Sequence, residues 1–77
     1  MNSQNSIPDD FVCPISLNIM ESPVSVIDGQ LFDRDSIMKW FAKGGRKNPL
    51  TNIPLKSLNL LPNKELKRLI EEYKERV

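Results

Sequence analysis

The chain has one cysteine, Cys13, and no histidine. Without an imidazole, neither a Ser-His nor a Cys-His relay can be assembled. A zinc site built from Cys and His is excluded on ligand count. A lone thiol becomes a useful nucleophile only if a nearby cation lowers its pKa. The nearest acids in sequence, Asp9, Asp10 and Glu21, would raise it. Cys13 therefore reads as a small packed thiol. Asp28, Asp33 and Asp35 are the other candidates, as oxygen ligands for a hard cation. Gly29 stands directly beside the first of them, and no Glu occupies the last ligand position of a calcium-loop count. Turn and helix-cap roles account for these acids better. No glycine-rich phosphate loop is present. The chemistry left is recognition by a surface. Pro14-Ile15-Ser16-Leu17 and Asn48-Pro49-Leu50 set prolines beside aliphatic residues, and a loop pre-ordered by proline loses less entropy on binding. Trp40 lies between them in sequence, and tryptophan is enriched at binding hot spots. Burial of Ile15, Leu17 and Trp40 in the core is the competing interpretation for so small a chain.

The elements that must position these residues are legible in outline. Pro8, Pro14 and Pro23 exclude a single long helix over 7–23 and leave an ordered, apolar loop. Val24-Ser25-Val26-Ile27, Asp28-Gly29 and Gln30-Leu31-Phe32 predict a β-hairpin, with Asp-Gly suited to a type I′ turn. Asp33 can cap the helix that follows, and Asp35 suits its first turn. Ile37, Trp40 and Phe41 share one face of that helix, and Gly44-Gly45 ends it. A second apolar loop spans Asn48 to Leu55. Leu58, Leu60 and Leu61 then lead to Pro62-Asn63, where Asn63 is a good N-cap. Leu66, Leu69, Ile70, Tyr73 and Val77 follow at helical spacing. Lys67/Glu71, Arg68/Glu72 and Glu72/Arg76 are i,i+4 pairs on the outer faces. Met1–Ser6 is polar and aperiodic and reads as a disordered tail. The expected order is loop, hairpin, short helix, loop, long helix, an α+β arrangement.

Leu, Ile, Val and Phe supply 23 of the 77 residues, enough for one small core and above the composition of a disordered segment. The net charge of +1 conceals an asymmetry. Residues 1–35 carry six acids and one base, Arg34; residues 36–64 carry six bases and no acid. The basic stretch has no interleaved aromatics beyond Trp40 and Phe41, so it reads as a solvated face and not as a nucleic-acid site. No apolar stretch is long enough to span a membrane. The chain shows neither a signal-peptide pattern nor an N-glycosylation sequon. With the lone thiol, these features predict a reducing, intracellular compartment, the cytoplasm or nucleus.

The ordered set of motifs resembles the U-box domain. The resemblance is carried by Ile7-Pro8-Asp9 with Phe11-Val12-Cys13-Pro14-Ile15-Ser16-Leu17, Ile19-Met20 and Pro23-Val24. Asp28-Gly29-Gln30 with Phe32-Asp33-Arg34, then Ile37 and Lys39-Trp40, continue it. Asn48-Pro49-Leu50-Thr51 with Pro54-Leu55, and Leu60-Leu61-Pro62-Asn63 with Leu66 and Leu69-Ile70, complete it. The resemblance implies a domain over residues 7–77 with a RING-like fold that binds no metal and needs no cofactor. Two ordered loops would surround the hairpin and central helix, and a C-terminal helix would close the fold. It implies that polar interactions stand where RING domains hold zinc; the candidates here are Ser16, Glu21, Ser22, Asp33, Arg34, Ser36, Asn48, Thr51 and Asn63. It implies an E3 ubiquitin ligase that docks a ubiquitin-charged E2 enzyme and promotes transfer to a substrate lysine by orientation, with no covalent intermediate on the E3. The implied E2 contacts are Pro14, Ile15, Leu17, Trp40, Pro49 and Leu50. Active members often carry a basic or long polar residue at the position of Asn52, which is short and uncharged. The alternative is a degenerate U-box that holds a substrate or scaffold protein and recruits no E2. The substrate would be bound by regions outside the chain. Some members of the family pair through this domain, so a homodimer is among the arrangements implied.

Overall fold

The hairpin forms from β1 (Pro23–Ser25) and β2 (Leu31–Asp33), paired antiparallel, but its connection differs from the expected one. The computed structural model describes residues 7–76; the tail expected at Met1–Ser6, and Val77 of the helical face, lie outside the described residues. Val26 N donates to Gln30 O at 3.0 Å and Gly29 N to Val26 O at 2.9 Å, which makes a three-residue loop of Ile27-Asp28-Gly29. A type I′ turn needs positive φ at both central residues. Here only Gly29 supplies it, at +95°, while Asp28 is not in that region. The Asp-Gly signal is shared by both turn families, and the longer loop wins. The consequence is register: Val24 faces Phe32 across the ladder. The two-residue turn would set Val24 against Asp33, a polar residue facing a core position.

A third strand, β3 (Leu61–Pro62), joins the free edge of β1 in antiparallel register, giving the order β2-β1-β3. The sequence reads these residues as a lead-in to the last helix, and the structure makes them a strand. Proline is tolerated here because β3 is an edge and its missing N–H costs the ladder nothing on the solvent side.

Helix α1 (Arg34–Ala42) follows β2 directly. Asp33 stands at its N-cap, but the side chain does not cap it; Asp33 Oδ1 accepts Ser22 N at 3.0 Å instead. The C-terminus closes as expected at glycine. Gly44 sits at φ +98°, its N–H bonds Phe41 O, and Gly45 N–H bonds Trp40 O, the double bond of a Schellman motif. Helix α2 (Lys64–Arg76) is capped by Asn63, whose Oδ1 accepts Leu66 N at 3.0 Å. Asn63 N also bonds Pro23 O, and Lys67 Nζ bonds Glu21 O at 2.9 Å, so the start of α2 is stitched to β1 and the segment before it.

The core holds Cys13, Met20, Val24, Val26, Phe32, Ile37, Leu66 and Ile70, one contiguous cluster between the sheet and the two helices. Phe11 meets Tyr73 edge-on with ring centroids 5.4 Å apart, extending it under α2. The apolar face of α2 is narrower than its periodicity suggests. Leu66 and Ile70 are buried, whereas Leu69 is 40 % exposed on the flank. A sheet of two- and three-residue strands covers only one row of the helix, so Leu69 is not a core position. Of the expected surface pairs, Lys67–Glu71 and Arg68–Glu72 form, and Arg68 also pairs with Glu65. All are exposed and screened by solvent, so they add little to stability.

Candidate protein-docking face

Each of the two loops is an eight-residue turn closed by a bridge, and the two are built alike. In the first, Val12 and Ile19 form a bridge, Cys13 N bonds Asn18 O at 2.9 Å, and Leu17 N bonds Cys13 O at 2.8 Å. In the second, Lys47 and Pro54 form the bridge, Asn48 N bonds Ile53 O at 2.9 Å, and Asn52 N bonds Asn48 O at 2.7 Å. Ser16 Oγ accepts Asn18 N, and Thr51 Oγ1 accepts Ile53 N. Leu17 and Asn52 hold matching left-handed conformations, φ 63° and 65°. Cys13-Pro14-Ile15-Ser16-Leu17 thus corresponds to Asn48-Pro49-Leu50-Thr51-Asn52. A pattern of small polar residue, proline, aliphatic, hydroxyl could have shown this in the sequence, although it is far shorter than a structural repeat.

The first residue of each turn is fully buried and fills the loop with a hydrogen-bond acceptor. Asn48 Oδ1 accepts Leu50 N at 2.8 Å and Thr51 N at 3.3 Å. Cys13 Sγ accepts Asp33 N at 3.3 Å, and the N–H groups of Ile15 and Ser16 also act on it. Burial pushes the Cys13 thiol up, but these donors and the Ser16 hydroxyl outweigh it and hold the thiol below its ordinary value. This corrects the expectation that neighbouring acids would raise it. Because Cys13 is 0 % exposed, the lowered pKa gives no accessible nucleophile.

The tip of the hairpin lies between the loops. Gly29 and Gln30 line one depression with Val12 and Pro14 and another with Asn48, Thr51 and Ile53. Asp28 Oδ2 accepts Asn48 Nδ2 at 2.9 Å while Oδ1 accepts Gln30 N at 2.9 Å, and the Asn48 bond, followed by that of Gln30, holds the carboxyl below its ordinary value. Asp28 was expected only to shape a turn; it also anchors the second loop. Trp40 spans from α1 to the same loop. Its Nε1 donates to Lys47 O at 2.8 Å, and its ring lies against Gly45, where an added Cβ would come within 2.4 Å of it. Arg46 Nη1 donates to the carbonyls of Phe41 and Gly45 at the end of α1.

The remaining polar candidates divide. Ser16, Asp33, Asn48, Thr51 and Asn63 make side-chain hydrogen bonds to the backbone. Ser22 takes part through its backbone, donating N–H to Asp33 Oδ1 and accepting Arg34 N. Glu21 contributes its carbonyl to Lys67. Among the described residues, the side chains of Glu21, Arg34 and Ser36 make no hydrogen bond that ties the loops, and Glu21 and Arg34 are exposed. The polar ties are thus separate local clusters, not one buried network. No group of three or more His, Cys, Asp or Glu side chains arranged to hold a metal is present among the described residues.

Of the expected contact residues, Ile15, Leu17 and Leu50 are exposed at 38, 74 and 56 %. Pro14, Pro49 and Trp40 are half-buried, and Asn52 is exposed. Ile53, not singled out by the sequence, adds a further exposed aliphatic side chain beside Asn52. The structure therefore brings two aliphatic-tipped loops to the hairpin tip, with Trp40 tying the second loop to α1.

A model of the U-box domain family matches residues 7–76. The chain belongs to the U-box family. It is similar to U-box domain-containing protein 26 of Arabidopsis thaliana, 46 % identical over 67 residues, which are 87 % of this chain and 16 % of that protein. It is also similar to the WD repeat, SAM and U-box domain-containing protein 1 of Gallus gallus, 39 % identical over 70 residues, 91 % of this chain and 15 % of that protein. The chain thus spans only a small part of the length of these curated relatives. The α+β architecture with a three-stranded antiparallel sheet and two helices is that of a U-box. Within this U-box, Asp28 and Gly45 are the positions whose roles only the structure reveals.

Proposed function

We propose that this U-box is the E2-docking domain of an E3 ubiquitin ligase. It seats a ubiquitin-charged E2 enzyme on Ile15, Leu17 and Leu50, with Pro14, Pro49 and Trp40 as the half-buried floor. It holds the flexible E2–ubiquitin thioester so that a substrate lysine attacks it directly. The observation that carries this proposal is the pair of like-built loops, which spend their polar groups internally and turn aliphatic side chains to solvent. Orientation is the catalytic contribution: restraining two reactants in an attack geometry replaces encounter by an intramolecular step. The only thiol is buried in the core, which agrees with a transfer that passes through no E3 thioester. Substrate selection belongs to regions outside these residues, and the compartment is intracellular.

Discharge of ubiquitin from a charged E2 to free lysine tests the proposal. Ile15→Ala should remove a binding hot spot worth roughly 1–3 kcal/mol and slow discharge strongly. Its melting temperature should scarcely move, since the side chain is exposed. Cys13→Ser should retain discharge apart from a modest packing cost. An Ile15→Ala protein that is folded and as active as the parent would place the E2 surface elsewhere, or show that this U-box binds another protein and recruits no E2. A reductant-sensitive ubiquitin adduct on Cys13 would overturn the non-covalent mechanism.

A further inference from the structure

Two loops of the same build make a face that is nearly repeated in its apolar chemistry, with Ile15 at one tip and Leu50 at the other. Apolar contact is non-directional, so these tips alone distinguish poorly between ways of seating a partner. The charges around the loops are opposite in sign. Beside the first loop, Asp9 and Asp10 border the depression formed by Val12 and Pro14, and Glu21 borders the groove that Ser16 and Asn18 share with α1. None of these three acids makes an ion pair among the described residues. The other charges of that groove are partly satisfied: Asp35 pairs with Lys39 at 3.2 Å, and Asp33 accepts Ser22 N, leaving Arg34 as the one further base.

Beside the second loop the bases are Arg46, whose carbonyl accepts Leu55 N, and Lys47, which opens the loop, with Lys43 three residues before Arg46 at the C-cap of α1. None of them makes an ion pair among the described residues, and residues 36–64 contain no acid to neutralise them. Asp28, which reaches this loop from the hairpin, is engaged by Asn48 Nδ2 and Gln30 N.

We infer that this polarity, acidic beside the first loop and basic beside the second, selects the E2 and sets the direction in which it seats. The partner it fits is an E2 whose docking surface is basic where it meets the first loop and acidic where it meets the second. The inference rests on the docking function proposed above. Complementary potentials accelerate encounter, and like charges brought together exclude wrong partners and wrong registers.

The test measures association rates between the domain and a panel of E2 enzymes of known surface charge, at low and high salt. The variants are Lys43→Glu/Lys47→Glu and Asp9→Lys/Asp10→Lys, all exposed positions, with Ile15→Ala as control. For an E2 whose binding depends on Ile15, each charge-reversal pair should slow association by about tenfold at low salt, and the difference should shrink as salt screens it. E2 enzymes of the opposite polarity should gain from the reversals. If binding depends on Ile15 but both reversals associate at the parent's rate, the polarity is inert and this inference falls while the docking function stands. An effect confined to one pair also overturns it, because a single charged patch cannot set direction. If no E2 binds, or binding ignores Ile15, the docking function fails and the inference falls with it.

Discussion

Replacing Leu17 by asparagine should make the domain more stable and less able to dock its partner. Leu17 sits at φ 63° and is 74 % exposed. For an L-residue the left-handed region costs roughly 1–2 kcal/mol. Asparagine is several-fold enriched there, which recovers on the order of 1 kcal/mol. The second loop already uses this solution, with Asn52 at φ 65° in the corresponding place. Against the gain stands the apolar burial that Leu17 does have. Full burial of a leucine is worth about 1.5–3 kcal/mol, and the quarter of it realised here roughly 0.5. The net is a gain of about 0.5 kcal/mol, or a rise of roughly 2–4 °C in melting temperature for a domain of this size. Thermal and urea unfolding measure it, and E2 discharge on the same protein measures the cost. A fall of more than about 2 °C would refute the reasoning, because it would mean that the Leu17 side chain holds the loop in place. Strain kept for the sake of an exposed aliphatic side chain is a trade of stability against function.

Three further outcomes follow from the packing and the ties. Ile70→Ala, at a position 2 % exposed, should cost about 2–5 kcal/mol and unfold much of the population, whereas Leu69→Ala at 40 % exposure should cost far less; chemical denaturation of both separates them. Gly45→Ala should force the Trp40 ring off its site, lowering stability and shifting tryptophan fluorescence, because an added Cβ would lie 2.4 Å from the indole. For Asp28, the folded-state pKa lies below the unfolded one, so the stability it contributes is present above the unfolded value and lost as pH falls through the folded one. Acid unfolding of Asp28→Asn should therefore lack a part of the parent's stability loss that develops as pH falls through about 4, the ordinary aspartate range, and below it. Identical acid profiles would show that the Asp28–Asn48 tie carries no stability.

Much of the fold was legible because it rests on local signals. The β-branched run, the glycine after α1 and the asparagine before α2 each act within a few residues of themselves. What was not legible depended on competition between distant parts. Asp28-Gly29 serves two turn types, and the choice is made by which register puts Val24 opposite Phe32. Pro62 argues against a strand until β1 supplies an edge. Leu69 repeats at helical spacing, but the sheet is too small to cover it. The site shows the same division. The residue types of the loops were informative, yet exposure was not, since the buried Cys13 and the exposed Ile15 stand only one proline apart. Asp28 carried no signal of its second role because Asn48, its partner, is twenty positions away in sequence.

That likeness has a kinetic consequence. Each loop closes on itself within eight residues, Val12 to Ile19 and Lys47 to Pro54, by bonds between neighbours. Closing so short a segment costs little chain entropy, and contacts of this range form in roughly 10–100 ns in flexible chains. A thiol bonded by backbone N–H groups fills the centre of the first loop, and a buried amide fills that of the second. Assembly then reduces to docking two nearly finished turns onto the hairpin, through Asp33 N to Cys13 Sγ and Asp28 to Asn48. The two exposed aliphatic loops are therefore laid out by short-range bonds, and their placement by a few long-range ones: two to the hairpin and, for the second loop, Trp40 Nε1 to Lys47 O from α1.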